Sequence, residues 1–478
     1  MDDILLQVNG QVGEHDLLAI TEENVELFNN RNNTSLSYEN MKQEIESQGL
    51  EMDNFYLSGK LFEPYCYYKF PVFYTTPSLK EVLSLEGVVP LKEHLEYLEK
   101  YANRILFEEK NYFKFLVSSP TQAKFMLMNK VYWYLSEQER YELFIEFYAE
   151  EDYGHYLIDK DLIKDAIKNQ PIEYRQEMLN CLNKTTGDTD TLTIYRGCSD
   201  KSTAPEEAMS WTLSKNTAIF FAMRRGLDGD IYEAKVNKEH VIDYLQGRNE
   251  EEILVLPQHV EDIQPYEMLK TNDEIKSMLA SEHVEEYHLY KNTFIKDEYF
   301  DNPEGIHGTR HCKRVLFHAL SLAKEFNLNA RDRAILSNAA CYHDIGRTND
   351  DEDRDHGLGS VIKHAEEVHD FPYMCINVVD RKNKNKNYEL EYMNDEEINI
   401  IEFIMQYHCI GDEESREALD KLAWDDDIAD RTWKLYQLFK DADGLDRVRI
   451  KDLNVDYLRT EAAQKRVLFA YGLLKGIK

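Results

Sequence analysis

Apolar residues recur at helical spacing through the first third of the chain. The clearest segments are PLKEHLEYLEKYANRILFEE (90–109) and SEQERYELFIEFYAEE (136–151), whose spacing is typical of amphipathic helices. Tyr and Phe are dense here, and we interpret them as core residues. Residues 1–155 are therefore predicted to form a mostly helical accessory region, in which we find no catalytic pattern.

The pattern changes between residues 156 and 272. After a further helical stretch come four short runs of alternating apolar and polar residues: TLTIYRG (191–197), EAMSWTL (207–213), GDIYEAKV (229–236) and EEEILVLP (250–257). Alternation with a period of two predicts β-strands. We therefore expect a strand-rich domain over 156–272.

Helical spacing returns after residue 272. Residues 273–300 are charged and predict a helical connector, and residues 301–478 predict an all-α domain. The tract RKNKNKN (381–387) interrupts this domain and is predicted to be a mobile loop. The fold class that follows is a multidomain α+β protein with a helical N-terminal region, a central sheet domain and a helical C-terminal domain.

Composition narrows the function classes. The chain has 56 basic and 90 acidic residues, a net charge of −34, and such a surface repels nucleic-acid backbones and anionic membranes. A hydrophobic content of 42% is too high for a disordered chain.

The seven cysteines form no CxxC pair, which favours free thiols in a reducing compartment. We see no signal peptide and no apolar run long enough to span a bilayer. We expect a cytoplasmic protein, with export independent of a signal left open.

Histidines concentrate in one stretch of the chain. Of 15 in total, those between residues 301 and 410 are His307, His311, His318, His343, His356, His364, His369 and His408. Several continue apolar helical stripes, where a polar group needs a partner, and a shared metal ion satisfies several such groups together. An adjacent His-Asp pair is a good ligand set for Mn, Fe, Zn or Mg.

Five ordered segments carry a resemblance to a known family. GIHGTRHCKRV, CYHDIGR, DHG, IMQYHC and FKDADGLDRVR, within about 301–450, resemble the HD-domain metal-dependent phosphohydrolases. The resemblance implies one or two divalent ions, with ligands His311, His343, Asp344, Asp443, His356 and His408. Asp344 is also implied as a catalytic residue.

Two ligand choices remain open from the residues alone. Periodicity would let Asp441, Asp443 and Asp446 all approach the ligand histidines, and only the family's late motif selects Asp443. His307 competes with His311 as the first ligand, although the helical stripe favours His311. The basic residues Arg347, Lys313 and Arg314 are candidates for a phosphate clamp, or for ordinary ion pairs.

A second constellation lies on the predicted strands. By the period of two, Arg196 shares a face with apolar neighbours, where a charge needs an anionic partner. Ser210 and Thr212 share a face, as do Glu250 and Glu252. An arginine, two hydroxyls and two carboxylates suit a phosphate-bearing ligand with a ribose, although a solvated strand start would also explain the glutamates.

The ordered set YRG, SWTLSKNTAIFFA and RNEEEILVLP, over about 190–258, resembles the arginine–serine–glutamate class of mono-ADP-ribosyltransferases. The resemblance implies that Arg196 holds the phosphates of NAD and that Ser210 orders the glutamate, with Thr212 completing the motif. Glu252 is then the catalytic glutamate, which bonds the ribose, and Glu250 recognises the acceptor. In members of this class with a glutamate at that position, the acceptor is an arginine. Many members have Ser-Thr-Ser where this chain has Ser-Trp-Thr.

Together the two resemblances imply a bifunctional enzyme of the conflict or effector type. One domain transfers ADP-ribose from NAD to a macromolecule, and the other hydrolyses a phosphorylated or nucleotide substrate with a divalent metal. The alternative is an HD phosphohydrolase whose middle domain only senses NAD or another nucleotide. A third hypothesis, an interaction protein with two inactive domains, predicts that neither metal nor NAD is used.

Overall fold

The computed structural model describes residues 10–77, 79, 89–151, 154–200, 202–224, 226–227, 229–247, 250–368, 372–378 and 388–476. The chain divides into two compact units. The first comprises Met1–Asp188 with Ile242–Leu245, and the second Thr189–Val241 with Gln246–Lys478. This division does not test the predicted domain boundaries, which stay predictions, and the tract 381–387 lies outside the described residues.

The first unit combines helices with a small antiparallel sheet. Its helices are α1 (Glu22–Asn32), α2 (Tyr38–Ser47), α3 (Leu91–Asn103), α4 (Tyr112–Val117), α5 (Lys124–Val131), α6 (Glu137–Glu150), α7 (Lys160–Lys168) and α8 (Ile172–Thr186). Its sheet contains β1 (Leu18–Ala19), β2 (Phe55–Leu57), β3 (Tyr65–Lys69) and β4 (Val72–Thr75), paired in chain order. This sheet was not predicted, because four successive residues of β3 are buried and the strand therefore does not alternate.

The second unit begins with an antiparallel sheet. It contains β5 (Thr191–Cys198), β6 (Ser210–Thr212), β7 (Asp230–Asn237), β9 (Glu252–Val255) and β10 (Val260–Tyr266), in the order β10-β7-β5-β6-β9. A further strand, β8 (Val241–Leu245), has all but its first residue in the first unit. The four predicted strand runs coincide with β5, β6, β7 and β9. Strand β10 was not predicted, because its alternation is broken by a register shift and by a φ of 53° at Asp262.

Helix α9 (Lys215–Met223) packs closely on this sheet. A Cβ atom on Gly197 would lie 1.9 Å from the carbonyl oxygen of Ala218 in this helix. No side chain fits there, so the glycine of the YRG run is needed for helix–sheet contact. Gly197 therefore has a structural role next to Arg196.

The rest of the second unit is mainly helical. Its helices are α10 (Thr271–Leu279), α11 (His283–Thr293), α12 (Thr309–Glu325), α13 (Ala330–Tyr342), α14 (His356–Glu367), α15 (Asp395–Tyr407), α16 (Asp412–Lys421), α17 (Asp426–Leu445), α18 (Glu461–Gln464) and α19 (Val467–Gly476). The expectation of an all-α domain is wrong in one respect, since β11 (Met374–Val378) and β12 (Tyr388–Tyr392) form an antiparallel pair.

Within the second unit, the sheet and the helices share one apolar core. Ala218 and Ile231 belong to the same buried cluster as Leu316 of α12. The backbone N–H of Val455 also donates to the side chain of Asn216 at 2.7 Å. Among the described helices, none combines the length and the apolar character that crossing a bilayer requires.

Candidate functional site

Helix ends and buried helix faces bring six ligand-type residues together in the second unit. His311 lies in the first turn of α12, His343 and Asp344 directly follow α13, and His356 begins α14. His408 directly follows α15, and Asp443 lies in the last turn of α17. All are buried except the half-buried Asp443. These are the six metal ligands that the family resemblance implies.

The turn that carries His343 and Asp344 is fixed by close packing. A Cβ on Gly346 would lie 2.2 Å from the backbone nitrogen of Ser360 in α14. The hydroxyl of Ser360 donates to the carbonyl of His343 at 2.6 Å and accepts from the N–H of Gly346 at 2.9 Å. The glycine of the HDIG run thus allows α14 to hold the His-Asp pair in place.

One group of ligand atoms gathers around Nε2 of His311. This nitrogen lies 3.0 Å from Nε2 of His343 and 3.3 Å from an oxygen of Asp443. It also lies 3.3 Å from Oδ2 of Asp344. Ligands about 2.1 Å from one ion lie about 3 Å apart at right angles. The spacing of these four atoms therefore fits a shared cation.

A second group gathers around the other oxygen of the same aspartate. Oδ1 of Asp344 lies 3.1 Å from Nε2 of His356 and 3.5 Å from Nε2 of His408. The two imidazole nitrogens are 2.9 Å apart. Asp344 therefore faces one ligand group with each carboxylate oxygen, an arrangement that suits a carboxylate shared by two cations.

The outer nitrogen of each imidazole is already bonded. Nδ1 of His311 lies 2.7 Å from a carboxylate oxygen of Asp446. Nδ1 of His343, His356 and His408 lies 3.2, 2.5 and 2.7 Å from backbone carbonyls. Because these oxygens only accept, each Nδ1 carries a proton and each Nε2 faces one of the two ligand groups. Four ring nitrogens therefore converge on the two groups, which is the arrangement that metal binding requires.

The charges of the cluster also call for a cation. Although burial opposes it, contact with imidazoles holds the pKa of Asp344 and of Asp443 well below the usual range, so both are ionised. Burial lowers the pKa of His343 to about 3, which keeps it neutral. Against burial and Arg449, the carboxylates around His311 raise its pKa to about 9. Buried carboxylates at this density need a positive partner, and a divalent ion supplies one.

The three late aspartates have three different surroundings. Asp441 accepts hydrogen bonds from the backbone and hydroxyl of Thr460, which caps α18. Asp446 orients His311 and forms a buried bidentate pair with Arg314. Only Asp443 of the three faces the ligand nitrogens. The geometry thus favours Asp443 among the choices that the residues left open, and Arg314 is committed to Asp446 rather than free for phosphate.

Sequence reasoning missed several residues around the cluster. Nδ1 of His307 lies 2.9 Å from Asp344, and the guanidinium of Arg449 lies 3.2 Å from the same nitrogen. Lys440 donates to the carbonyls of His408 and Ile410 at 2.7 Å each and so fixes that turn. The sulfur of Cys409 and one ring nitrogen each of His356 and His408 lie within 4.8 Å of one another, so Cys409 is a further ligand-type residue. The residues alone leave His307 and Asp446 as candidate ligands, but no sequence pattern points to Lys440 or Arg449.

Of the remaining clamp candidates, Arg347 lies closest to the cluster. Its Nε is 3.4 Å from Oδ1 of Asp344, yet this buried nitrogen makes no hydrogen bond. A second nitrogen donates to the carbonyl of Asp351 at 2.9 Å. Lys313 instead contacts Thr309. Arg347 is therefore the candidate best placed to meet an anion at this centre.

The strand constellation also comes together. Strand β6 lies between β5 and β9, and the hydroxyl of Ser210 donates to a carboxylate oxygen of Glu252 at 2.5 Å. Arg196 donates to the carbonyls of Ser210 and Thr203, at 2.5 and 3.4 Å. Its Nε is buried without a hydrogen-bond partner. An orphaned guanidinium nitrogen beside a serine–glutamate pair is suited to an anionic ligand.

The other two motif residues have backbone roles. The hydroxyl of Thr212 donates to the carbonyl of Glu250 at 2.6 Å and accepts from the backbone of Ser214 at 3.0 Å. Glu251 has a φ of 47°, and β9 begins only at Glu252. The prediction that Glu250 and Glu252 share a strand face is therefore wrong, since Glu250 lies in the loop before the strand.

Comparisons with known proteins identify no relative. No protein family, no curated protein and no solved structure matches this chain. The two family resemblances therefore depend on the quoted motifs alone.

Proposed function

We propose that this chain is a bifunctional enzyme. Its C-terminal region hydrolyses a phosphoester or phosphoanhydride with a divalent metal, and its sheet transfers ADP-ribose from NAD to a macromolecule. The observation that carries the first activity is the single carboxylate, Asp344, facing a ligand group with each of its oxygens. The observation that carries the second is the hydrogen bond between Ser210 and Glu252.

In the hydrolase centre, the protein supplies ligands, orientation and charge. A divalent cation, when bound, acidifies a water molecule and offsets charge on a phosphoryl group. His311 and His343 with Asp443 would hold one cation, and His356 with His408 a second, Asp344 serving both. Asp446 and the backbone carbonyls keep every Nε2 directed inward. Arg347 is positioned to neutralise a substrate oxygen beside Asp344.

In the transferase site, the protein stabilises a developing positive charge. Loss of nicotinamide leaves an oxocarbenium-like ribose, which a fixed carboxylate stabilises. The hydroxyl of Ser210 holds Glu252 in one orientation. Arg196, with its orphaned Nε, would bind the phosphates of NAD, and Glu250, in the loop before β9, would meet the acceptor.

Removal of metal should separate the two activities. Treatment with a strong chelator is expected to abolish hydrolysis of p-nitrophenyl phosphate and bis-p-nitrophenyl phosphate, because the ligand cluster cannot polarise a phosphoryl group without a cation. Release of nicotinamide from NAD should continue, since none of the possible metal-ligand groups among the described residues includes Arg196, Ser210 or Glu252. Hydrolysis that survives the chelator, or that manganese fails to restore, would contradict the metal-dependent mechanism.

The alternative is an HD hydrolase that only senses NAD through its sheet. A sensor needs Arg196 to bind phosphate but has no need of a carboxylate held by a serine next to the ribose. NAD binding without release of nicotinamide would favour the sensor. The paired Ser210 and Glu252 favour the transferase.

A further inference from the structure

The turn after α15 carries His408, which belongs to the second ligand group, around Oδ1 of Asp344. A helix leaves its last carbonyls without intrahelical partners, so these oxygens need donors from elsewhere. Nζ of Lys440 donates to the carbonyls of His408 and Ile410, at 2.7 Å each. The backbone at His408, and with it the approach of the ring to Asp344, is therefore held from outside the turn by a side chain of α17.

Nζ of Lys440 is withdrawn from solvent and surrounded by partners. The side chain is 12% exposed, and the ring centroid of Tyr436 lies 5.7 Å from Nζ. A carboxylate oxygen of Asp412 lies 3.9 Å away, and Arg459 donates to that carboxylate in two hydrogen bonds of 2.8 and 2.7 Å. Burial of an amino group is costly unless its donors are used. The two carbonyls of the turn use them, so Lys440 has a defined place against this turn.

Helix α17 serves both ligand groups. Lys440 and Asp443 are three residues apart and thus lie on one side of the helix. Asp443 belongs to the first group, with an oxygen 3.3 Å from Nε2 of His311, while Lys440 supports His408 of the second group. Because the helix is a regular hydrogen-bonded element, it fixes the position of Asp443 relative to Lys440 and so relates the two groups to each other.

We infer that Lys440 is a positioning residue for the second cation of the hydrolase centre, and that it holds His408 against Asp344 through the carbonyls of the turn. The inference rests on the proposed function, because it needs a cation in the second group. Within the described residues, both hydrogen bonds of Nζ end on backbone oxygens. Lys440 therefore acts through His408, and the first group does not depend on it.

The sign of the effect separates positioning from plain electrostatics. A positive charge near a cation site repels the cation. If charge alone mattered, removal of Lys440 would strengthen binding at the second group. Loss of the support for His408 would weaken binding instead, and removal of a residue that only orients a metal ligand costs about tenfold to a hundredfold in metal affinity.

Manganese titration of the full chain tests this role, with bound metal measured by elemental analysis after equilibrium dialysis. Lys440→Met keeps the apolar stem and removes Nζ. It should bind the second manganese ion about tenfold to a hundredfold more weakly than the wild type, with the first unchanged. At a concentration that just fills both groups of the wild type, its electron paramagnetic resonance spectrum should show an isolated ion instead of a coupled pair. Lys440→Arg keeps a donor for the carbonyls and should lie between the two.

Lys434→Met is the matched control, since it makes the same change at an exposed position of α17. It should bind both ions as the wild type does. A second-group affinity that is unchanged or higher in Lys440→Met overturns the inference, as does an equal loss at both groups, which would reveal a general structural role. A wild type that binds a single manganese ion refutes this inference but leaves a one-cation hydrolase. One that binds none refutes the proposed function as well.

Discussion

Asp344→Asn should abolish hydrolysis and remove at least one cation. An amide keeps one oxygen and replaces the other with an N–H donor, so it can serve one ligand group and repels a cation from the other. Loss of a residue that only hydrogen-bonds to a metal ligand costs up to about a hundredfold in metal affinity or activity. Loss of a shared ligand should therefore lower the rate by more than about a hundredfold. Phosphatase assays with manganese and elemental analysis measure both effects.

Asp350→Asn provides the control for this variant. It makes the same change of charge on an exposed side chain of the adjoining loop. Its cation content and its rate should equal those of the wild type. If Asp344→Asn retained full activity and both cations, the carboxylate would not be shared, and the two-cation arrangement would be refuted.

Glu252→Gln should stop ADP-ribosyl transfer while NAD is still bound. The amide can keep the hydrogen bond from Ser210, but it removes the negative charge that would face the ribose. Removal of one preorganised electrostatic group costs on the order of a hundredfold to a thousandfold in rate. Transfer of labelled ADP-ribose, release of nicotinamide and NAD affinity, measured on the same preparation, distinguish this outcome from misfolding.

Glu251→Gln is the matched control, since it makes the same change one residue away and precedes β9. It should transfer ADP-ribose at the wild-type rate. Equal transfer by Glu252→Gln and the wild type would rule out the transferase. If Glu250→Gln loses ADP-ribosyl transfer but still releases nicotinamide, the loop before β9 recognises the acceptor.

Three histidines of the metal centre could be predicted as candidates from the sequence because each continues a helical stripe or ends a helix. These are His311, His343 and His408, whereas His356, which begins α14, was implied only by the family resemblance. The choice of aspartate was harder. Asp443 and Asp446 are three residues apart on one face of α17 and its extension, so periodicity places both at His311. Only the orientation of the ring assigns one to Nε2 and the other to Nδ1.

The two sheets show where sequence patterns stop being informative. Strands β5 and β7 alternate over part of their length and were predicted, whereas β3 is buried on both faces and β10 contains a register shift. The positive φ of Glu251 breaks the alternation before β9. A backbone conformation of this kind has no periodic signature, so the relation of Glu250 to Glu252 could not be obtained from spacing.

The count of bound divalent cations tests the central claim most directly. The purified chain is loaded with manganese, dialysed and analysed for metal, alongside His343→Ala and His408→Ala. The arrangement around Asp344 predicts two cations per wild-type chain, and fewer in each of His343→Ala and His408→Ala, which remove a ligand of the first and of the second group. A wild-type chain that retains no cation above the level in the dialysis buffer would contradict it.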